Sequence, residues 1–116
     1  MSSNIPITEA TFFILLSLSP GAKHGYAMMK DVETLSQGQV ILSTGTLYGA
    51  LKRLLAQQWI ERVEDVPIET QKGTESARQR KAYVLTKLGR SILSAEISRL
   101  DRLVRAAQSQ GLEVPL

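Results

Sequence analysis

The chain has 116 residues, 43% of them apolar, with no cysteine, one histidine and a net charge of +3. This length fits one domain, or one domain with an arm, and buries about two-thirds of the surface an unfolded chain exposes. The composition excludes disulfides, thiolate metal sites and thiol nucleophiles, and no apolar run nears the ~20 residues that span a bilayer.

Residues 1–6 read as a loose arm. Thr8, with Glu9 and Thr11, opens a helix whose apolar side is Phe12, Leu15, Leu16 and Leu18, and Pro20-Gly21 ends it. A short loop, Ala22 to Gly25, leads to a second helix over about Tyr26–Leu35. Tyr26, Met29, Val32 and Leu35 recur there every three residues, and Gly38 breaks the helix. Val40-Ile41-Leu42 is either a small strand or a buried connector. Ser43 or Thr44 caps a third helix that runs to about Gln57, because a hydroxyl there accepts from a free backbone N–H of the first turn. Leu47, Leu51, Leu54 and Leu55 form its apolar face.

Residues Trp59–Val66 read as a first strand, ended by Pro67, and Lys81–Leu85 as the returning strand. The polar stretch 68–79 between them reads as a mobile hairpin tip. Thr86 caps a last helix that runs to about Gln108 and stops near Gly111. Leu93, Ile97, Leu100, Val104 and Ala107 are spaced four, three, four and three along it, the seam of a coiled coil, and Leu88, Ile92 and Leu103 widen the stripe. A helix this apolar finds no obvious home in so small a core. It is expected to pair two copies of the chain, unless it folds back on its own domain. The fold class is therefore mainly α with a small β wing (α+β): a winged helix-turn-helix domain over 1–85 and a dimerisation helix over 86–110.

The order helix, then β wing, points to double-stranded DNA. A major-groove helix needs one face to dock on its own domain and another to reach bases and phosphates. Behind the leucine face, Ser43, Thr44 and Thr46 can bond phosphates or bases, Tyr48 offers a ring and a hydroxyl, and Lys52 and Arg53 can neutralise phosphates. Gly45 and Gly49 cost about 1 kcal/mol each inside a helix, which implies a limit on bulk there. In the wing, Arg78, Arg80 and Lys81 cluster where the hairpin returns, with Lys72 on the outgoing side. Basic residues on a hairpin suit phosphate or minor-groove contact. The charge is also segregated: Glu61, Glu64, Asp65 and Glu69 face only Arg62 between Trp59 and Gln71, and the balance reverses from Lys72 onward. Solvated loops and surface helices carry such patterns too.

Other chemistries find little support. His24 has no second histidine or cysteine to complete a metal site or a catalytic triad, and is expected in a turn, bonded to backbone. No cofactor and no enzymatic activity are expected. Trp59 is expected to cap the core between the third helix and the wing, or to stack on a planar ligand. The first residues lack a basic region followed by an apolar core, so no signal peptide is expected and the expected compartment is the cytoplasm, with no membrane partner.

Four segments, in order, resemble the PadR family of winged-helix transcriptional regulators: ILLSL at Ile14–Leu18, HGY at His24–Tyr26, GTLYGALKRL at Gly45–Leu54 and RKAYVLTKLG at Arg80–Gly89. The resemblance spans roughly residues 7–110 and is to the short, single-domain branch. It implies a homodimer on a partly palindromic operator, usually a repressor, often released by a small phenolic or planar hydrophobic effector. It also implies that the third helix enters the major groove, that Tyr26 lies close to a phosphate, and that the first and last helices build the dimer. Two positions depart from the family pattern: Gly49 follows Tyr48 where proline is usual, and Gln58-Trp59 stands where Gly-Leu is common. The alternative reading is a winged-helix ligand-binding or protein-interaction module without operator binding, favoured by Gly49 and the acidic run Glu61–Glu69.

Overall fold

The computed structural model describes residues 6–63 and 81–113. Seven elements follow in chain order: α1 (Glu9–Ser17), β1 (Lys23–His24), α2 (Gly25–Leu35), α3 (Thr44–Ala56), β2 (Ile60–Val63), β3 (Ala82–Leu85) and α4 (Lys87–Ser109). Among the described residues no helix is long and apolar enough to cross a membrane.

Three of the four helices start on a hydroxyl cap. Thr11 N–H donates to Thr8 Oγ1 (3.1 Å), Thr46 N–H to Ser43 Oγ (3.1 Å) and Gly89 N–H to Thr86 Oγ1 (2.9 Å), each satisfying a donor that the helix itself leaves free. Three helices also end alike. In α2, α3 and α4 the residue beyond the C-cap turns left-handed: Gln37 at φ 55°, Gln58 at φ 65° and Gly111 at φ 91°. After α3, Trp59 N–H reaches Leu54 O and Gln58 N–H reaches Leu55 O, both at 3.0 Å, the paired bonds of a Schellman ending. At Gln58 a side-chain-bearing residue occupies a conformation that favours glycine. The departure from Gly-Leu noted above thus falls on a position where the backbone itself favours glycine.

The sheet has three antiparallel strands in the order β1–β3–β2, not the two strands expected from sequence. Lys23 pairs with Tyr83 and His24 with Ala82 on one side, while Ile60 pairs with Leu85 and Arg62 with Tyr83 on the other. The short stretch before α2 is thus strand rather than loop. His24 sits in that strand rather than in a turn, and among the described residues its buried Nε2 has no hydrogen-bond partner. Val40–Leu42 forms no strand; it is a connector that buries Leu42 and exposes Ile41.

The core gathers Ile14, Leu15 and Leu18 from the first helix and its cap, Met28 and Val32 from α2, Leu47, Ala50, Leu51 and Leu54 from α3, Ile60, Tyr83 and Leu85 from the sheet, and Leu93 from α4. On α2 the spacing of three does not mark the buried face. Tyr26 is 70% exposed and Leu35 is exposed, whereas Gly25, Met28 and Val32 face inward at spacings of three and four. Tyr83 lies buried at the centre of the sheet. Burial, reinforced by neighbouring Tyr48, pushes its hydroxyl pKa above the usual value, and Arg62 opposes the shift.

The structure divides α4. Gly89, Leu93 and Glu96 in its first half are buried, and this half packs on α1 and β3. Glu96 accepts two bonds from Arg99 (3.0 and 2.7 Å). Arg99, and less strongly the backbone N–H of Ile7, hold its carboxyl below the usual range despite burial. Further along, Ile97 (46% exposed), Leu103 (54%) and Val104 (40%) lie uncovered by the chain.

Candidate nucleic-acid interface

Helix α3 presents its two faces cleanly. Leu47, Ala50, Leu51 and Leu54 are inside, and Thr44, Gly45, Thr46, Tyr48, Gly49, Lys52 and Arg53 are all exposed. Ala50 joins the buried row that the leucines define, a member that apolar spacing alone did not single out. The helix carries two basic residues and no acidic one. Over thirteen residues it is about 20 Å long, enough to lie along a major groove.

Not every candidate on this face is free. Ser43 Oγ bonds Thr46 Oγ1 at 3.0 Å while also accepting from Thr46 N–H, so these two hydroxyls serve the helix start first. Arg53 Nη1 folds back to Gly49 O at 3.4 Å, a long bond that a phosphate could replace. Lys52 is exposed. Tyr48 leans toward α2: a Cβ added at Gly25 would lie 2.2 Å from the Tyr48 hydroxyl and 2.9 Å from Cζ. In this position the ring fills the space a Cβ at Gly25 would take, so Tyr48 packs against the start of α2 as well as facing outward. Gly45 and Gly49 have no protein atom within 4 Å of an added Cβ. Their lack of side chains answers to nothing inside the described chain.

Next to that contact, Tyr26 projects from the first turn of α2, and the Lys30 ammonium lies 5.5 Å from its ring centroid. Lys30, one helical turn on and exposed, is a basic residue that the sequence reading did not select. Its i, i+4 spacing from Tyr26 was the available signal. Lys23, by contrast, is paired with Asp31. In the wing only Lys81, exposed, falls within the described residues; Lys72, Arg78 and Arg80 lie outside them.

Trp59 is half-buried against the core, just before β2. An open groove of about 550 Å³ runs beside it, lined by Leu55, Gln58, Ile60, Arg62, Thr86 and Leu88 among others, and Trp59 is not part of its wall. Among the described residues no group of three or more His, Cys, Asp or Glu could hold a metal.

A helix-turn-helix backed by a three-stranded wing and followed by a long helix defines a winged-helix protein. Residues 14–95 match the family described as "Transcriptional regulator PadR-like family", and the chain belongs to it. Among solved structures it is similar to a PadR family transcription regulator of Clostridium difficile R20291, with 25% identity, a TM-score of 0.64, and 91% of this chain and 100% of that one covered. A PadR-like transcriptional regulator of Bacillus cereus shares 19% identity at a TM-score of 0.68, over 90% of this chain and 92% of that one. Bordetella bronchiseptica BpsR, whose DNA binding is regulated by 6-hydroxynicotinic acid, shares 18% identity at a TM-score of 0.64, over 90% and 67%. In sequence, the chain is 37% identical over 95 residues to an uncharacterized 37.1 kDa protein in transposon TN4556 of Streptomyces fradiae. That alignment covers 82% of this chain and 24% of the relative, so the chain spans about a quarter of its length.

Proposed function

We propose that the chain is a homodimeric, sequence-specific DNA-binding repressor. The observation that carries this reading is the outward face of α3, which is polar and basic, free of acid, bare at Gly45 and Gly49, and rigidly backed by buried leucines. Thr44, Tyr48, Lys52 and Arg53 face the groove, with Ser43 and Thr46 at the helix start. Tyr26, Lys81 and, from the wing, Arg78 and Arg80 meet the backbone. Residues 1–85 form the reading unit and 86–110 the pairing unit. Ile97, Leu100, Val104 and Ala107 meet a second copy; Leu93, 4% exposed, already belongs to the chain's own core and only continues that line. Two copies would set their α3 helices about one DNA turn, near 34 Å, apart on a partly palindromic operator.

The test is the DNA that the purified protein selects from a genomic pool. Specific fragments with two related half-sites support the reading; none retained at low salt counts against it. Lys52→Ala is expected to weaken binding to all sequences. It should also reduce the slope of log affinity against log salt by about 0.9, the share of one neutralised phosphate.

Release by a small hydrophobic or phenolic effector is supported by the groove between the end of α3, β2 and the start of α4, rather than by a wall formed by Trp59. Half-buried Trp59 still reports on it: quenching by an added aromatic acid supports an effector, and an unresponsive tryptophan argues against one. The second reading, a ligand-binding or protein-interaction module without operator binding, is favoured by Gly49 and by the acidic run Glu61–Glu69, of which Glu61 is exposed on β2 and Glu64, Asp65 and Glu69 lie outside the described residues; the same pool experiment separates the two.

A further inference from the structure

We propose that Thr86 is a positioning residue that holds α3 at a set angle to α4, and so fixes the half-site spacing the protein accepts. This rests on the DNA-binding homodimer reading above.

The end of α3 and the start of α4 are built into each other. Thr86 Oγ1 accepts from Gly89 N–H at 2.9 Å, which caps α4, and the same hydroxyl donates to Gln58 O at 2.7 Å. Thr86 N–H donates to Trp59 O at 3.0 Å. Gln58 and Trp59 are the two residues of the Schellman ending of α3, so one threonine ties that ending to the start of α4. Gly89 lets them touch at backbone level: a Cβ there would lie 1.9 Å from Trp59 O and 2.8 Å from its carbonyl carbon. That contact is backbone against backbone, and no rotamer change can relieve it. On the other side of the joint, Leu93 packs α4 into the core.

The geometry makes small errors costly. Tilting α3 by about 10° around its C-terminal end moves its first turn by about 3 Å over its ~20 Å length. One base-pair step is about 3.4 Å. A joint loose by that angle would leave each half-site readable by one copy, but would blur the distance between the two. Its loss should appear in the advantage of paired sites and in the tolerance of their spacing, not in single half-site affinity.

Thr86→Asp separates the two duties of the hydroxyl. A carboxylate still caps α4, because aspartate is a good N-cap, but it cannot donate to Gln58 O. Thr86→Ser keeps both bonds. Three duplexes serve as probes: a palindromic duplex selected by the wild type from a random pool, the same duplex with one half-site scrambled, and the same duplex with one base pair inserted at its centre. The wild type and Thr86→Ser should strongly prefer the intact palindrome over both variants. Thr86→Asp should lose roughly tenfold of the 10²–10⁴-fold advantage that joining two sites supplies. It should bind the scrambled duplex as the wild type does and discriminate poorly against the inserted base pair. A Thr86→Asp protein that keeps full spacing discrimination, or loses affinity equally for all three duplexes, overturns the proposal. A wild type that selects no DNA, or prefers no paired site, overturns the reading on which it rests.

Discussion

The outward side of α3 and the far half of α4 are both left uncovered by the chain, yet they are made of opposite material. On α3 the exposed positions are threonines, glycines, a tyrosine and two basic residues. On α4 they include Ile97, Leu103 and Val104. A polar face loses little by standing in water and gains where charged acceptors meet it, while an apolar stripe costs free energy until a second apolar surface covers it. The two helices therefore call for partners of different kinds, the first a polyanion and the second another protein surface. Their inner faces differ as well. The leucine row of α3 is used up along its length, whereas α4 spends only its first half on the core.

The sharpest way to break the comparison is to damage the inner face of α3. Leu51→Ala, at a site 1% exposed, should cost about 2–5 kcal/mol and lower Tm markedly in a thermal melt. A change below about 1 kcal/mol would mean that α3 is not anchored by its leucines. The next largest effect is expected on α4. Val104→Glu should leave the fold of one chain intact but weaken self-association by about 2 kcal/mol, roughly thirtyfold, in sedimentation equilibrium. A monomer–dimer balance that ignores this charge would remove the reason for assigning the stripe to a second copy.

At the border between the two halves of α4, Glu96 gives a pH test. Its carboxyl is held below the usual range, so its stabilisation is complete above the unfolded carboxyl value of about 4.3. It is lost as pH falls through that value and then through the folded one. In denaturant titrations Glu96→Gln should be less stable than wild type at pH 7 by roughly 1.5–3 kcal/mol, the worth of hydrogen bonds to a charged group. The gap should close toward pH 3; a constant difference across this range would contradict the role given to its charge. The smallest effect belongs to the end of α3. Gln58→Gly should raise stability by up to about 1 kcal/mol, because glycine holds φ 65° without the clash a side chain brings. A loss of stability would mean that the glutamine side chain contributes more than its backbone costs.

Much of this was legible in the chain itself, for identifiable reasons. Thr8, Ser43 and Thr86 announce helix starts because capping is local, and the leucines of α3 lie on one face because that helix packs along its whole length. Strand β1 was not legible: two residues carry no periodicity, and only pairing with β3 makes Lys23 and His24 a strand. The spacing of three on α2 misled because Tyr26 and Leu35 lie at its ends, outside the packed middle where Met28 and Val32 turn inward. On the candidate interface, the choice of exposed residues on α3 could be made from the helical pattern. The lean of Tyr48 over Gly25 and the contact of Gly89 with Trp59 O could not, since both depend on a missing side chain meeting an atom far away in sequence. Leu93 fits the heptad as well as Ile97 does, and only the fold shows that it is already covered.

The packing of α1 against α4 also bears on how the molecule assembles. It joins Glu9–Ser17 to the distant Lys87–Ser109, and the entropy of closing a loop rises with the logarithm of its length. The capped helices need only neighbours in sequence to form. This clasp must wait until nearly the whole chain has collapsed. It is expected to form late and open early, so that in native-state hydrogen exchange the amides of α1 lose protection before those of α3.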